Sequence, residues 1–284
     1  MPNRDYVICH YSGLQTFELF DWLCGTLSVG KIFPKTLGNV SLYDRILLVL
    51  MKLKLGSSNQ DLAIRFNITV QRVSVILCTH IDGMASALRF LIPWPDRGIV
   101  NANMPRRCKQ NFPACRIIID CTEVFIQRSK NLVARAQTYS NYKSHNTLKF
   151  LVGIAPSGAF TYISKSWGGR ASDKTITLED GLLEMLDHGD LVLADRGFLA
   201  AEELGVKGVS LAMPAFTKGK KQLSRKEVEK SRQLSRFRIH VERAIRRLKI
   251  YHIMSNKMPI SLCRYANSIA VICAALCNLR GKLF

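Results

Sequence analysis

Arg116-Ile117-Ile118-Ile119-Asp120 is a run of three β-branched side chains that ends on an acid. Such a run reads as a strand. An acid closing a buried strand belongs at the sheet's edge, where it escapes the full cost of desolvation. A second run, Asp190-Leu191-Val192-Leu193-Ala194-Asp195, has the same form. A third acid, Glu242, lies in the helical segment Arg238-Ile239-His240-Val241-Glu242-Arg243-Ala244-Ile245. Two strand ends and one helix can bring acids to one point.

The flanking patterns build the rest of a domain. Residues 117–126, 147–155 and 159–164 read as strands, and Pro156-Ser157-Gly158 turns the chain between the last two, giving a meander. A helix is expected from Ser172, which caps it, with Asp173 in its first turn. A short strand at 191–194, a helix at 200–204, a strand at 209–213 and a long helix follow. That order is the one of a ribonuclease-H-like α/β fold, with the first strand central and the fourth beside it. Asp120 and Asp195 then fall at neighbouring strand ends. Along the long helix, Leu234, Phe237, Val241, Ala244, Ile245 and Leu248 form an apolar stripe, and Glu242 sits on its border beside the row Arg238, Arg246 and Lys249.

The first hundred residues read as all-helical. Ser41 is a plausible cap for a helix carrying Leu42, Ile46, Leu47, Val49, Leu50 and Leu53. Residues 59–66 form a short helix, Asn67-Ile68-Thr69 a polar turn, and a longer helix starts at Val70 with Thr69 as its cap. That is a helix-turn-helix pattern, in which Gln71, Arg72 and Ser74 are best placed to meet DNA. A three-helix bundle that only packs fits the pattern equally well. Pro105-Arg106-Arg107-Cys108-Lys109, among Pro93, Pro95, Gly98 and Pro113, reads as a basic linker. The expected division is a helical module over 1–100, the linker over 101–115 and the α/β domain over 116–284.

Charge points to the partner. The chain carries 41 Lys+Arg against 21 Asp+Glu, for a net charge of +20 and a pI of about 9.8. From residue 218 onward there are 17 basic residues and 3 acids. A surface of that kind attracts polyanions and releases counterions on binding. The nine cysteines lack any Cys-x-x-Cys pair and read as small buried hydrophobes in a reducing compartment, with no zinc site. The amino terminus has no signal pattern, and the longest unbroken apolar run, 269–277, is too short for a bilayer. A soluble intracellular protein without membrane contact is expected.

Three converging carboxylates repel one another unless cations neutralise them. Oxygen donors select Mg²⁺ or Mn²⁺. Two such ions, about 4 Å apart, support in-line phosphodiester displacement without a protein nucleophile. The plainer alternatives are an i,i+4 ion pair of Glu242 with Arg238 or Arg246, and strand-end caps for the aspartates. Arg196 and Arg243 stand beside acids, as phosphate clamps or as local charge partners. Lys143 and His145 lie in a polar loop able to follow a DNA backbone, and Arg246 and Arg247 extend the basic helix. Asp173 reads as a helix-start residue rather than a fourth ligand. Trp167, before Gly168 and Gly169, is a core residue or a base-stacking one in a mobile loop.

Five motifs, in order, carry a family resemblance. Asp120-Cys121-Thr122-Glu123, Tyr139-Ser140-Asn141-Tyr142-Lys143-Ser144-His145-Asn146-Thr147, Ser172-Asp173-Lys174, Ala194-Asp195-Arg196-Gly197-Phe198 and His240-Val241-Glu242-Arg243-Ala244-Ile245 closely resemble the DDE transposases of the PIF/Harbinger-like group, including its insertion-sequence-like animal relatives. The similarity runs over about residues 14–280. It implies that Asp120, Asp195 and Glu242 are the metal-binding catalytic triad and that residues 41–84 are a DNA-binding helix-turn-helix. It also implies hydrolysis at transposon ends followed by transfer of the exposed 3′-OH to target DNA, in the nucleus, by a multimer. Longer relatives often add a zinc-dependent DNA-binding domain that this chain lacks, which puts autonomous recognition of element ends in doubt and leaves room for an accessory DNA-binding partner. A domesticated DNA-binding protein without cleavage, and a nuclease without strand transfer, are the alternatives.

Overall fold

Local capping sets the helix boundaries. Ser41, Ser58, Thr69 and Ser172 each accept, through the side-chain oxygen, from the backbone N–H three residues on, satisfying a donor that the helix itself leaves open. Gly13 and Gly56 close the first and third helices in the left-handed conformation. The computed structural model describes residues 3–29, 33, 40–215, 222 and 224–281. Lys218, Lys220, Lys221 and Lys282 of the basic last quarter lie outside the described residues.

In chain order, helices Arg4–Ser12 (α1), Phe17–Val29 (α2), Leu42–Leu55 (α3), Asn59–Arg65 (α4), Val70–Leu88 (α5), Arg97–Ala102 (α6) and Arg106–Asn111 (α7) precede the first strand, Cys115–Phe125 (β1). Then come Leu132–Thr138 (α8), Tyr139–Ser140 (β2), His145–Ile154 (β3), Phe160–Ile163 (β4), Trp167–Gly168 (β5), Asp173–Glu179 (α9) and Leu182–Met185 (α10). Leu191–Leu193 (β6), Ala201–Val206 (α11), Ser210–Ala212 (β7), Arg225–Leu248 (α12), His252–Ser255 (α13) and Ala266–Asn278 (α14) complete the chain. The region expected as a linker is helical in part, since α6 and α7 occupy it. Pro105 stands at the start of α7, where its missing N–H costs nothing.

The chain forms two compact units, and each is discontinuous in sequence. One comprises Met1–Ile92, Val124–Arg128 and Arg247–Gly281; the other includes Pro93–Glu123 and Ser129–Arg246. In the first unit the carboxy-terminal segment is tied in by backbone pairing, with Gln127 N donating to Met258 O at 2.9 Å and Met258 N to Phe125 O at 2.8 Å. Two stretches of this unit, Val70–Leu91 and Ile260–Asn278, have the length and mean hydropathy of a membrane span, although no such stretch is expected from the longest unbroken apolar run. Here α5 and α14 pack against each other, burying Val73, Ile76, Leu77 and Ile81 on one and Ile269, Ile272, Cys273 and Leu276 on the other.

The second unit is the α/β sheet. Among the described residues its strands run β2-β3-β1-β6-β7, with β4 and β5 also paired to β3. The first, second and third long strands are therefore neighbours, as a meander requires, and β1 pairs in parallel with β6, as β6 does with β7. A core of Ile117, Ile119, Leu151, Val192, Phe198 and Leu204, among others, fills one face beneath α9, α10 and α11. Ile118 is equally buried, so the central strand is covered on both sides, as its composition requires. The chain is thus a helical region with a helix-turn-helix followed by a mixed α/β sheet domain of ribonuclease-H-like order.

Candidate active site

The register of β1 and β6 sets the two aspartates together. Ile118 pairs with Leu193 in parallel, and two residues further along each strand stand Asp120 and Asp195. A step of two keeps a side chain on the same face, so both acids lie on the side of Ile118, opposite the core that receives Ile117 and Ile119. The loop after Asp195 is held from two directions. Phe198 is buried in the core, and a Cβ at Gly197 would meet Asp173 Oδ2 at 3.0 Å. Lys149 fixes Asp173 in turn, its Nζ donating to Asp173 Oδ1 at 3.2 Å and to Ala171 O at 2.9 Å, with Glu123 Oε1 at 3.9 Å. Glu123 Oε2 accepts from Thr147 at 2.6 Å. Asp173 is therefore a helix-start residue bound to a lysine, and its motif explains the glycine in Asp195-Arg196-Gly197.

Glu242 arrives from α12, where Leu234, Val241, Ala244 and Leu248 are buried and Phe237 meets Phe112 edge-on at 5.3 Å. The expected i,i+4 pair with Arg238 is present, Nη2 to Oε1 at 3.6 Å. The same guanidinium also reaches Asp195, Nη1 to Oδ1 at 3.1 Å. Arg238 is 8% exposed, while the two carboxylates it bridges are half exposed. The contact with Asp195 and the burial of Arg238 are not foreseen in the reading that sets it in a row with Arg246 and Lys249. The available signal was its position four residues after Leu234 and three before Val241, inside the apolar stripe.

Asp120 completes the cluster electrostatically. Burial pushes its carboxyl up to about 6; Arg238 and the Cys121 N–H pull it down, and Asp195 and Glu242 raise it further. All three acids thus act on one another around a single guanidinium. Among the described residues, no group of three His, Cys, Asp or Glu side chains is drawn together closely enough to hold a metal ion as placed. The donor chemistry fits a divalent cation nonetheless: the oxygens are hard, and Arg238 is a cation standing between two of them.

The other candidates divide by what already engages them. Arg196 is exposed, and its backbone N–H donates to Asp195 Oδ1 at 2.7 Å. Lys143 Nζ lies over the exposed Tyr142 ring at 4.4 Å, and His145 Nδ1 is 3.0 Å from Lys143 O. Arg243 and Arg246 are exposed on α12, in line with Arg232 and Arg236, which sequence reading left out. Arg247 is half-buried and donates to Gly281 O at 2.6 Å, so it is engaged in the helical unit. Trp167 donates to Asp180 at 2.8 Å and packs on the core. The segment after it is not open loop, since a Cβ at Gly169 would come within 2.1 Å of Thr147 Oγ1.

In the helical unit, α4 and α5 form the two arms of the helix-turn-helix, and Asn67 takes a positive φ of 50° in the turn. Gln71 is exposed and Arg72 half-buried at the start of α5. Ser74 is committed internally, donating to Val70 O at 3.1 Å and accepting from Asn59 Nδ2 at 3.3 Å. Asn59 Oδ1 in turn accepts from the buried Lys52 at 2.9 Å, so one polar chain links α3, α4 and α5.

The expected pair of strand-end acids is found only in part, since β1 continues past Asp120 to Phe125 while Asp195 lies just beyond the end of β6. A helix-turn-helix preceding a sheet that carries acids on neighbouring parallel strands fits a DNA-processing nuclease. A family described as DDE superfamily endonuclease matches residues 119–278, and one described as helix-turn-helix of DDE superfamily endonuclease matches residues 38–90. The chain belongs to the DDE superfamily endonucleases. No curated protein matches it. Members of this superfamily use divalent metals, and the paired helix-turn-helix and endonuclease modules point to DNA binding.

Proposed function

We propose that this protein is a transposase of the PIF/Harbinger-like group that cuts DNA at transposon ends and joins the freed 3′-OH to target DNA. The observation that carries the proposal is the bridging of Asp195 and Glu242 by one guanidinium, within electrostatic reach of Asp120. Acids that share a counter-cation are placed to share a divalent one. In this reading Asp120, Asp195 and Glu242 hold Mg²⁺ or Mn²⁺, as a pair of ions. Bound there, such ions supply Lewis-acid activation of the attacking oxygen and stabilise the leaving one.

The protein's own residues do the positioning. Asp120 and Asp195 are fixed by the β1/β6 register, and Glu242 by the packing of α12. Arg196, Arg243 and Arg246, together with Lys143 and His145 in the loop before β3, hold backbone phosphates as point charges. Gln71 and Arg72 read base edges from the start of α5. The protein works in the nucleus as a homo-oligomer, since two element ends must meet in one complex, with an accessory DNA-binding protein supplying further recognition of the ends.

Incubating the purified chain with end-containing DNA, a target plasmid and Mg²⁺ tests this reading. Joined products are expected. Cuts without joining would identify a nuclease, and binding alone a domesticated DNA-binding protein. Light scattering with and without end DNA tests the oligomer, which a monomer in both conditions excludes.

A further inference from the structure

We propose that Arg238 is the resident counter-cation of the acidic cluster, a positioning residue that holds Asp195 and Glu242 until a divalent cation displaces it. This rests on reading Asp120, Asp195 and Glu242 as cation ligands. The argument begins with the helix. Position 238 falls on the buried side of α12, with Leu234, Val241 and Leu248, where an apolar residue would pack at no electrostatic cost. An arginine there must be held by acids, and it is.

The way it is held is unusual for a purely structural pair. A guanidinium satisfied by one carboxylate makes two parallel hydrogen bonds in a fork. Arg238 instead splits its fork, with 3.1 Å to Asp195 and a longer 3.6 Å to Glu242, and its buried Nε has no hydrogen-bond partner. The contrast with Asp190 is informative. That acid is 1% exposed, pairs with Arg97 and Arg116, and also accepts from Asp187 N at 2.8 Å, so its carboxylate is enclosed by protein, although Arg116 Nε and Nη1 lack partners as Arg238 Nε does. The partners of Arg238 are half exposed and open to exchange.

Charge makes the same point. Three carboxylates share one guanidinium, so the cluster keeps a net negative charge that draws further cations to it. A cation seated on Asp195 and Glu242 would stand a few ångströms from the guanidinium, and like charges at that separation exclude each other. Arg238 therefore keeps the acids gathered in the cation-free protein and lowers their apparent affinity for the cation that replaces it.

Mn²⁺ binding to the full-length protein without DNA tests the idea, measured by electron paramagnetic resonance of the free ion and by calorimetry. Arg238→Gln is expected to bind Mn²⁺ at least tenfold more tightly than wild type. It should melt lower in EDTA and recover more on Mn²⁺ addition. A purely structural arginine would lower the melting temperature without tightening Mn²⁺, so an unchanged or weaker affinity overturns the proposal. Should the Gln variant fail to fold, Arg238→Met carries the same test, since it removes the charge and suits the apolar stripe of Leu234, Val241 and Leu248. The same gain is expected from it, and no gain overturns the proposal. If neither wild type nor any variant binds Mn²⁺, the ligand reading itself fails, and the exchange role with it.

Discussion

Asp120→Asn should make the cation-free protein more stable at neutral pH while abolishing cleavage. The Asp120 carboxyl rises from its ordinary 3.8 to about 6, chiefly through burial, so the folded state resists ionising it. An acid raised in this way is protonated in the folded chain and ionised in the unfolded one across that window. Stability therefore falls as pH rises from about 3.8 to about 6, and the loss is complete above it. The gap is a little over two pH units, each worth about 1.36 kcal/mol, or about 3 kcal/mol in all. Asparagine keeps the shape and carries no charge, so in EDTA at pH 7.5 it should raise the melting temperature by on the order of 5–10 °C. At pH 4 the two proteins should melt together. Mg²⁺ should then stabilise the wild type and leave the variant nearly unmoved. A variant that melts at or below wild type at pH 7.5 would refute the reasoning, and so would a gain that does not vary with pH.

His80 should titrate the helical unit in the opposite sense. It is fully buried and stacked on Phe33 at 4.4 Å, and burial, then Arg45, pull its pKa down to about 4. Stability is whole above about 6.5 and falls with pH through the window down to about 4, by roughly 3 kcal/mol. Urea midpoints across that range should lose this dependence in His80→Gln. In the helix-turn-helix, Ser74→Ala should lower the melting temperature with little change in sequence preference, whereas Gln71→Ala should relax preference at one base position without loss of stability; competition binding distinguishes them. On α12, Arg246→Ala should weaken DNA binding for all sequences and reduce the salt slope by about 0.9 per lost phosphate contact. Arg247→Ala should leave the slope nearly unchanged, because that side chain is bound to Gly281 O.

Much of this fold could be read before any coordinates, for identifiable reasons. The capping side chains at 41, 69 and 172 are local signals, and each acts where expected. The isoleucine run at 117–119 marks a strand, and its central place follows from the element order of the fold, which the strand order bears out. What escaped was non-local. The two-residue strands β2 and β5 exist only through pairing with β3, and two residues carry no periodicity. The pairing that returns 247–281 to the first unit likewise runs through backbone groups that any sequence supplies. In the site, the acids were legible as interruptions of apolar runs, but the end of the isoleucine run is not the end of the strand, because β1 continues to Phe125 and leaves Asp120 within it. Ser74 was misjudged because its usefulness to DNA depends on whether Asn59 occupies its hydroxyl, which spacing alone does not reveal.

The long helix explains how these parts can serve one reaction. At 100° per residue, and taking Arg238 as zero, the buried side chains of Leu234, Val241 and Leu248 fall within about 80° on one side. On the other side Glu242 follows at about 40°, and the exposed residues Arg246, Ile239, Arg232, Arg243 and Arg236 spread from about 80° to 160°. Core, counter-cation, acid and basic track thus succeed one another around a single cylinder. The track from Arg232 to Arg246 is about 21 Å long, comparable to six base-pair steps of duplex. A strand whose phosphates lie along that track passes the edge on which Glu242 stands. In the proposed reading the exposed arginines of α12 hold the DNA backbone, and Glu242 stands at the seam between that basic face and the buried side of the helix.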